Sequence, residues 1–363
     1  MARKSLNVII SGGGTGGHIY PAVAVAQELQ KRMPDVNILF VGASDRMEME
    51  KVPKAGYKIV GLWISGLQRS LSLKNLLFPV KVMSAVWKSL SILKEFKPDV
   101  AIGFGGYASG AMMWAATMKK IPSVIHEQNS YAGITNKILK NRVDTICVAY
   151  DRMNRFFPER KIVKVGNPIR KDLMNVNGKR DEAIAFFELN PSKKTVLIIG
   201  GSLGARTINQ TINEGIQRLD EAGLQIIWQT GKNYTQAETK KSTTIKPYTF
   251  IYEMDLAYAA ADIVISRAGA LSIAELAQVQ KPVILVPSPN VAEDHQTKNA
   301  MALVTNEAAI LVKDSEAKEV LIDEVIKLAQ SEIKQAQLKN NIATFAMPNA
   351  AKLIVDEVLR VME

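Results

Sequence analysis

The chain has a single cysteine, Cys147, among its 363 residues. A disulfide framework is therefore excluded, and Cys147, which lies in the apolar segment 144–148, is expected to be a buried thiol of a protein from a reducing compartment. No stretch approaches the roughly 18 apolar residues that a membrane-spanning helix needs. The apolar run at residues 6–10 is also too short for the core of a signal peptide. We therefore expect a cytoplasmic chain without a membrane span.

Histidine is scarce as well, with three residues far apart in the sequence, and no Asp-x-Asp pair occurs. Zinc sites need clustered histidine and cysteine ligands, and sites for Mg²⁺ or Ca²⁺ need grouped oxygen ligands. The sequence therefore predicts no metal site. If a diphosphate leaves during a reaction here, helix N-termini and arginine side chains would have to stabilise it.

Acidic residues are few in the N-terminal half. Residues 1–165 carry 24 Lys and Arg against 11 Asp and Glu, whereas the rest of the chain carries 22 against 24. The net charge of +11 thus comes from the N-terminal half alone. Such a one-sided excess indicates that this half faces something anionic, either nucleic acid, phosphate groups or an acidic membrane surface.

Two glycine-rich turns are the most informative features that the sequence does contain. Residues 12–18 (GGGTGGH) follow an apolar segment and precede a helical run, and residues 200–205 (GGSLGA) do the same in the second half. Each has the strand, tight turn and helix N-terminus of a phosphate-binding βα unit. The chain is too long for one ordinary α/β core. It is therefore predicted to form two Rossmann-like α/β domains, with parallel sheets that face each other across a cleft.

Strands and helices alternate along both halves, as in a parallel sheet. Glycine and proline at residues 166–168 place the domain boundary there. We predict an N-terminal domain over residues 1–165, a C-terminal domain over residues 166–345, and a helical tail over residues 346–363 that packs back on the N-terminal domain. The further predicted strands are residues 37–42, 100–103, 123–126, 144–148, 225–228, 249–251, 263–265 and 283–286.

The first turn has two interpretations. Its spacing at residues 12–17 matches the GxGxxG pattern, so a nicotinamide-dependent dehydrogenase is one alternative. That pattern also asks for an acidic residue about 20 positions further on, and Asp45 lies too far along the chain for a close fit. The turn also carries Thr15 and His18, which a dinucleotide site does not require. His18 is either a capping or packing residue or, kept neutral by the helix N-terminus, a catalytic base.

Two other segments follow predicted strands, where open α/β sheets bind ligands. Residues 126–129 (HEQN) carry four hydrogen-bonding side chains, of which we expect at least two, Glu127 among them, to serve structure. Residues 105–110 (GGYASG) form a third glycine-rich turn, which either admits a phosphate or allows tight packing.

The C-terminal half has one comparable constellation. After the strand at 263–265, a helix is predicted to begin near Gly269, with backbone N–H groups that can bind an anion. Arg267 can add positive charge, and Glu275 can bind ribose hydroxyls. The alternative is a capped helix with a surface glutamate. The polar residues 293–296 are expected at the same cleft.

One helix, predicted over residues 74–96, combines an apolar stripe with lysines at every seventh position. It is either a core helix with solvated lysines or a surface that inserts into an anionic membrane. The stripe consists of Leu76, Leu77, Val80, Met83, Trp87, Leu90 and Leu93.

Six motifs occur in one order over residues 6–300: GGGTGGH (12–18), HEQN (126–129), GNPIR (166–170), GGSLGAR (200–206), SRAGALSIAE (266–275) and DHQTKNA (294–300). In this order they resemble the MurG family of GT-B glycosyltransferases, the N-acetylglucosaminyltransferases of peptidoglycan synthesis. The resemblance implies transfer of GlcNAc from UDP-GlcNAc to the 4-hydroxyl of the muramoyl sugar of lipid I, with inversion, giving lipid II and UDP. It implies neither a cofactor nor a nucleic-acid partner.

The same resemblance implies the binding residues. The donor would be held by Ser202 (phosphate or sugar), Ile251 (uracil, through its backbone), Ala270, Leu271 and Ser272 (diphosphate, through N–H groups), Glu275 (ribose), Gln296 (GlcNAc) and Arg170, which reaches it from the linker. The residues that close over the sugar from the N-terminal side would be Thr15, Gly16, Gly17 and Asn129.

The implied acceptor is a polyprenyl diphosphate, so the basic half would meet its diphosphate. Residues 76–93 would dock on the cytoplasmic face of the cell membrane, making the protein a peripheral membrane enzyme. His18 is the predicted general base, with Glu127 as the second candidate. The alternatives are a GT-B transferase with another lipid acceptor, an NAD(P)-dependent oxidoreductase and a non-catalytic, membrane-bound nucleotide sensor.

Overall fold

The structure is a computed structural model that describes residues 5–66, 77–235 and 242–363. The chain folds into two compact units. Unit 1 comprises Met1–Ile169 and Asn349–Glu363, and unit 2 comprises Arg170–Pro348. Within the described ranges, no helix has both the length and the apolar character needed to span a lipid bilayer.

Unit 1 is built on a parallel sheet of seven strands among its described residues. The strands are β1 (Asn7–Ser11), β2 (Asn37–Ala43), β3 (Lys58–Leu62), β4 (Val100–Gly103), β5 (Ser123–Glu127), β6 (Thr145–Val148) and β7 (Ile162–Lys164). They pair in the order β3-β2-β1-β4-β5-β6-β7. The helices are α1 (Gly16–Arg32), α2 (Glu48–Lys54), α3 (Phe78–Phe96), α4 (Tyr107–Met118), α5 (Ile134–Leu139) and α13 (Ala350–Arg360).

Both faces of this sheet are covered, which explains why its central strands are continuous apolar runs. Val8 and Ile10 of β1 face a core that includes α1 and the returning helix α13. Ile9, which points to the opposite face, belongs to a second core with α3 and α4. The carboxyl end of β1, where the glycine-rich turn begins, is thereby fixed from both sides.

Unit 2 has the same architecture. Its strands are β8 (Thr195–Ile199), β9 (Gln225–Gln229), β10 (Ile245–Tyr248), β11 (Ile263–Ser266), β12 (Val283–Leu285) and β13 (Ile310–Leu311). They pair in parallel in the order β10-β9-β8-β11-β12-β13. The helices are α6 (Arg180–Phe186), α7 (Arg206–Glu221), α8 (Met254–Ala260), α9 (Ala270–Val279), α10 (His295–Val304), α11 (Ala317–Gln330) and α12 (Glu332–Ala343).

One predicted strand is wrong. Residues 249–251 form no strand, and the neighbouring strand β10 occupies Ile245–Tyr248 instead. β10 is an edge strand that contains Pro247, a residue that sheets tolerate at their edges. Beyond it, the N–H of Ile251 donates to the Gln229 side chain rather than to a neighbouring strand.

The helix predicted over residues 74–96 begins later than expected. Within the described residues, α3 starts at Phe78, and Leu77 is its N-cap residue. Pro79 follows immediately, at a position where its fixed φ favours the first helical turn. Leu76 and Lys74 lie outside the described residues.

Candidate active site

The glycine-rich turn of unit 1 connects the end of β1 to the start of α1. Gly14 has a φ of +85°, in the left-handed region where glycine is favoured. Thr15 is the N-cap residue of α1, and Gly16 and Gly17 are its first two residues. The N–H of His18 donates to the carbonyl oxygen of Thr15 at 3.1 Å. His18 is therefore held in the first turn of α1, at the carboxyl edge of the sheet.

One contact determines the tautomer of His18. Its Nδ1 lies 2.7 Å from the carbonyl oxygen of Gly13. A carbonyl oxygen only accepts hydrogen bonds, so Nδ1 carries the proton and Nε2 of the neutral ring keeps its lone pair. Nε2 faces Gly105, where an added Cβ would lie 3.1 Å away. In the neutral tautomer that this contact selects, Nε2 is the nitrogen that can act as a general base.

Glu127, the last residue of β5, is buried and surrounded by hydrogen-bond donors. Its carboxylate accepts from Asn129 N at 3.1 Å and Asn129 Nδ2 at 3.3 Å. It also accepts from Gly133 N and from Asn136 Nδ2, each at 2.9 Å. Because Gly133 is the N-cap residue of α5, Glu127 fixes the loop between β5 and α5. Asn129, partly buried, is held by the same carboxylate.

His126 and Gln128 also stabilise this region. His126 donates from Nε2 to the carbonyl oxygen of Gly166 at 2.9 Å, and its Nδ1 accepts from Gln128 Nε2 at 3.1 Å. Burial lowers the pKa of His126 to about 4, so the ring is neutral near pH 7. The prediction that at least two side chains of residues 126–129 serve structure is confirmed.

The third glycine-rich turn packs against the first. Gly105 and Gly106 have φ values of +91° and +88°. A Cβ at Gly106 would lie 2.6 Å from the carbonyl oxygen of Gly13. The two turns are therefore in backbone contact, which supports the tight-packing interpretation of residues 105–110.

In unit 2, α9 begins directly after β11 and the short segment 267–269. Gly269 is its N-cap residue, with extended φ and ψ of −65° and 145°, which confirms the predicted start. Ala270, Leu271 and Ser272 form the first turn. The helix dipole adds positive potential at this end of α9, and the N–H groups of its first turn point toward it. This end of α9 can therefore bind a phosphate group.

Arg267, which was expected to add positive charge at this position, is already paired. Its Nη1 donates to the carbonyl oxygens of Val286 and Pro287 at 3.0 and 3.1 Å and forms an ion pair with Asp314. The side chains of Arg267 and Asp314 are only 14% and 16% exposed. Because Asp314 compensates the charge, the geometry argues against the diphosphate role and for a structural role of Arg267.

Glu275 lies in the second turn of α9, partly buried beside Tyr258 of α8. The Tyr258 hydroxyl is 3.5 Å from Glu275 Oε2. Burial raises the pKa of Glu275 to about 7, against the opposing influence of the nearby Arg170 guanidinium. Arg170 pairs with Asp172 through Nε, at 3.0 Å, and Nη2. A carboxylate that has lost part of its solvation is suited to accept hydrogen bonds from ribose hydroxyls.

Hydrogen bonds orient the Gln296 side chain and the Ile251 backbone. Gln296 Oε1 accepts from the N–H groups of Ala268 and Ser288 at 3.2 and 2.8 Å, so its amide NH₂ is the group that can donate to a sugar. The N–H of Ile251 donates to Gln229 Oε1 at 3.0 Å. Of the backbone groups of Ile251, the carbonyl is then the one that can accept from uracil.

Ser202 lies exposed in the second glycine-rich turn, between β8 and α7. Gly201 and Gly204 in this turn have φ values of +89° and +87°, and a Cβ at Gly204 would lie 2.2 Å from the carbonyl oxygen of Thr230. Among the described residues, no group of three or more His, Cys, Asp or Glu side chains is arranged to hold a metal ion.

Comparison with known families assigns both halves of the chain. Residues 8–148 match the glycosyltransferase family 28 N-terminal domain, and residues 195–354 match the glycosyltransferase family 28 C-terminal domain. The chain belongs to glycosyltransferase family 28. It is therefore a glycosyltransferase, as the resemblance of the six motifs implied.

Curated relatives within family 28 match almost the whole chain. A protein from Cytophaga hutchinsonii is 54% identical over 99% of this chain and 98% of its own length. One from Flavobacterium psychrophilum is 54% identical over 98% of this chain and 97% of its own. Both are named UDP-N-acetylglucosamine--N-acetylmuramyl-(pentapeptide) pyrophosphoryl-undecaprenol N-acetylglucosamine transferase.

Solved structures agree with the family 28 assignment. The crystal structure of Acinetobacter baumannii MurG matches 98% of this chain and 99% of its own at a TM-score of 0.80 and 29% identity. A UDP-GlcNAc 2-epimerase from Neisseria meningitidis matches 98% of this chain and 100% of its own at a TM-score of 0.68, but at 17% identity it shows only a shared fold. The predicted fold class, two Rossmann-like α/β domains of the GT-B type, is confirmed.

The sequence patterns missed one buried residue at the glycine-rich turn of unit 1. Glu48, the first residue of α2, is fully buried. It accepts from Gly14 N at 3.0 Å and from Ala43 N at 2.9 Å. A signal was present, since a dinucleotide pattern directs attention to acidic residues beyond the second strand. The pattern points to Asp45, three residues before Glu48.

The apolar stripe on α3 divides into two parts. Leu93 is buried and Leu90 packs partly buried against the same core, whereas Val80, Met83 and Trp87 are 53%, 68% and 79% exposed. We call Val80, Met83 and Trp87 the α3 apolar patch. The stripe is therefore core at its carboxyl end and exposed at its amino end, so the core-helix interpretation holds for the carboxyl end only.

Proposed function

We propose that this chain transfers GlcNAc from UDP-GlcNAc to the undecaprenyl-diphosphate-linked N-acetylmuramyl-pentapeptide acceptor and releases UDP. The observation that carries the proposal is the 54% identity to proteins named for this transfer, over nearly the whole length of both chains. The site geometry supports it, because unit 2 offers a phosphate-binding helix N-terminus and unit 1 offers a base in the correct tautomer.

Unit 2 would bind the donor. The first-turn N–H groups of α9, contributed by Ala270, Leu271 and Ser272, would bind the diphosphate. Glu275, in the next turn of the same helix, would accept hydrogen bonds from the ribose hydroxyls. Because the helix N-terminus also stabilises the negative charge that develops on UDP as it leaves, the same groups would assist departure of the leaving group. The other proposed donor contacts are those of Arg170, Ser202, Ile251 and Gln296.

Unit 1 would bind and activate the acceptor. Its residues Thr15, Gly16, Gly17 and Asn129 would close over the GlcNAc of the donor. His18 Nε2 would remove the proton of the muramoyl 4-hydroxyl. That oxygen would form a bond to the anomeric carbon of GlcNAc while the bond from this carbon to the phosphate oxygen breaks. UDP would leave with the electron pair, and attack from the opposite face would invert the configuration.

We favour His18 over Glu127 as the base. The carboxylate of Glu127 accepts four hydrogen bonds from neighbouring residues, and a base must direct a lone pair at its substrate. His18 Nε2 has that lone pair because the ring proton is on Nδ1.

The direct test is release of UDP from UDP-GlcNAc. We expect release only when a lipid I analogue is present, and we expect the same rate in EDTA, because helix N–H groups would replace a metal at the diphosphate. A matched reaction with an unglycosylated polyprenyl phosphate controls for hydrolysis. Equal release without the sugar acceptor would refute the proposed transfer.

We also propose that unit 1 docks on an anionic membrane through the α3 apolar patch. The patch lies beside exposed Lys88, and Lys94 and Lys97 are exposed at the carboxyl end of the helix. Lys81 packs near Trp63, with Nζ 5.5 Å from the ring centroid. Exposed apolar side chains with basic neighbours are typical of surfaces that insert into the headgroup region. This docking would place the enzyme at the cytoplasmic face of the cell membrane.

Replacing Met83 and Trp87 with serine is expected to reduce binding to vesicles that contain anionic lipid by more than tenfold, because burial of their side chains contributes about 1.5–3 kcal/mol each. Co-sedimentation measures the bound fraction. Ile333→Ser, which removes an 86% exposed apolar side chain from α12 of unit 2, is the matched control. Unchanged binding of the double variant would exclude the α3 apolar patch as the docking surface.

A further inference from the structure

Glu48 and His18 contact opposite ends of one peptide group. The Gly14 N–H donates to Glu48 Oε2 at 3.0 Å. The carbonyl oxygen of Gly13, which belongs to the same peptide group, accepts from His18 Nδ1 at 2.7 Å. The carboxylate, the peptide and the imidazole therefore form one continuous hydrogen-bonded chain.

We propose that Glu48 is a positioning residue that holds His18 in its Nδ1-protonated form through the Gly13–Gly14 peptide. The inference rests on the proposed function, in which His18 is the base. The proposal gives unit 1, beside His18, a second residue that serves the reaction by acting through the first.

The physical basis is polarisation of the peptide. A carboxylate that accepts from an N–H group forms a charge-assisted hydrogen bond, and it increases the electron density on the carbonyl oxygen at the other end of the amide. That oxygen becomes a better acceptor for the Nδ1–H of His18. Because Glu48 is fully buried, the effect is not weakened by water. The negative charge would also stabilise the imidazolium formed when His18 takes the acceptor proton, as a buried aspartate does directly in serine proteases.

Glu48 and the Gly13–Gly14 peptide are closely packed. A Cβ at Gly13 would lie 2.0 Å from Glu48 Oε1, and one at Gly42 would lie 2.5 Å from Glu48 Cγ. On the side of the peptide away from Glu48, a Cβ added at Gly106 would lie 2.6 Å from the carbonyl oxygen of Gly13. The second Glu48 oxygen is fixed by Ala43 N at 2.9 Å. Glu48 therefore packs directly against the backbone of Gly13 and Gly42, and the Gly13–Gly14 peptide lies between Glu48 and Gly106.

The test is ¹⁵N NMR of the histidine rings in the full-length protein and in Glu48→Gln. The chain has three histidines, so the His18 signals can be assigned by comparison with a His18 variant. In the unmodified protein we expect Nδ1 protonated and Nε2 unprotonated. In Glu48→Gln, whose neutral side chain polarises the peptide less, we expect both nitrogen shifts to move toward those of mixed tautomers. We also expect kcat to fall on the order of 10- to 100-fold, the range seen for groups that orient metal-binding imidazoles, with little change in KM for UDP-GlcNAc.

The control is Asp99→Asn. Asp99 also accepts from a backbone N–H, that of Asn7 at 2.8 Å, but at the opposite end of β1. The Asp99→Asn variant should therefore leave the His18 signals unchanged. Unchanged His18 signals in Glu48→Gln would overturn the proposal even if activity fell, since a merely structural role predicts that result. Nε2 protonation in the unmodified protein would overturn it without any variant. The NMR result is independent of whether His18→Ala is inactive, so failure of the proposed function would be recognised separately.

Discussion

His18→Ala is expected to lower kcat by 10²- to 10⁴-fold, the usual contribution of a general base. KM for UDP-GlcNAc should change only a few-fold, because the residues proposed to hold the nucleotide belong to unit 2. The measurement is steady-state UDP release at saturating acceptor. The reason for the large effect is that the muramoyl hydroxyl is a poor nucleophile until its proton is removed, and His18 Nε2 carries the lone pair for this step.

The comparison that makes this experiment decisive is Glu127→Gln. The Glu127 carboxylate accepts hydrogen bonds from Gly133 N and Asn136 Nδ2, so its variant should lose thermal stability as well as activity. His18→Ala should keep its melting temperature and its UDP affinity. If His18→Ala retained most of its turnover while Glu127→Gln folded normally and was inactive, the base would be reassigned to Glu127.

Glu275→Gln is expected to have two opposite effects. UDP affinity should fall by about 10- to 100-fold, since hydrogen bonds to a charged group contribute about 1.5–3 kcal/mol. The free energy of unfolding should rise at pH 8, because the folded protein no longer holds a charged carboxylate in a desolvated position. Isothermal titration with UDP and denaturant unfolding measure the two effects.

The pH dependence of that stability difference follows from the raised pKa. Below about pH 4.5 Glu275 is protonated in both the folded and the unfolded chain, so the variant gains nothing. As the pH rises, the unfolded chain loses the proton first, and the destabilisation grows until the pH exceeds the folded pKa of about 7. At pH 8 the gain should be on the order of 3 kcal/mol, since the pKa is raised from 4.5 to about 7 and one pKa unit corresponds to about 1.4 kcal/mol. Glu319→Gln, on exposed α11 surface, should show neither effect. Equal UDP affinity of Glu275→Gln and the unmodified protein would remove Glu275 from the donor site.

The central strands could be predicted from the sequence because both faces of each sheet are buried. Runs such as residues 196–199 and 263–265 are apolar at every position, which few other structures require. The edge strands are harder to predict, because polar residues, glycine or proline interrupt their apolar runs. β3 contains Lys58 and Gly61, and β10 contains Lys246 and Pro247, so neither has an unbroken apolar run. This is why β3 was not indicated and why the strand expected at residues 249–251 was misplaced.

The candidate site could be located from the sequence, but the partners of its side chains could not. Glycine-rich turns after strands are local patterns, and they identified the carboxyl edges of both sheets. The contact of Glu48 with Gly14 spans 34 positions, and the pairing of Arg267 with Asp314 spans 47. Such pairings depend on how strands stack in the sheet. The local sequence pattern therefore indicates Arg267 as a ligand-binding residue, although Asp314 neutralises its charge in the folded chain.

The return of α13 to unit 1 means that unit 2 is an insertion between two parts of another domain. Ile354, Val355 and Val358 of α13 have no exposed surface and share a core with Val8 of β1. A fragment that ended at Ile169 would lack α13. The apolar surface of unit 1 that α13 covers would then be exposed to water, and the fragment should be prone to aggregate. The last fifteen residues, supplied as a separate peptide, could cover it again. Unit 2 is thus formed by one continuous segment of the chain, whereas unit 1 combines residues from both sides of that segment.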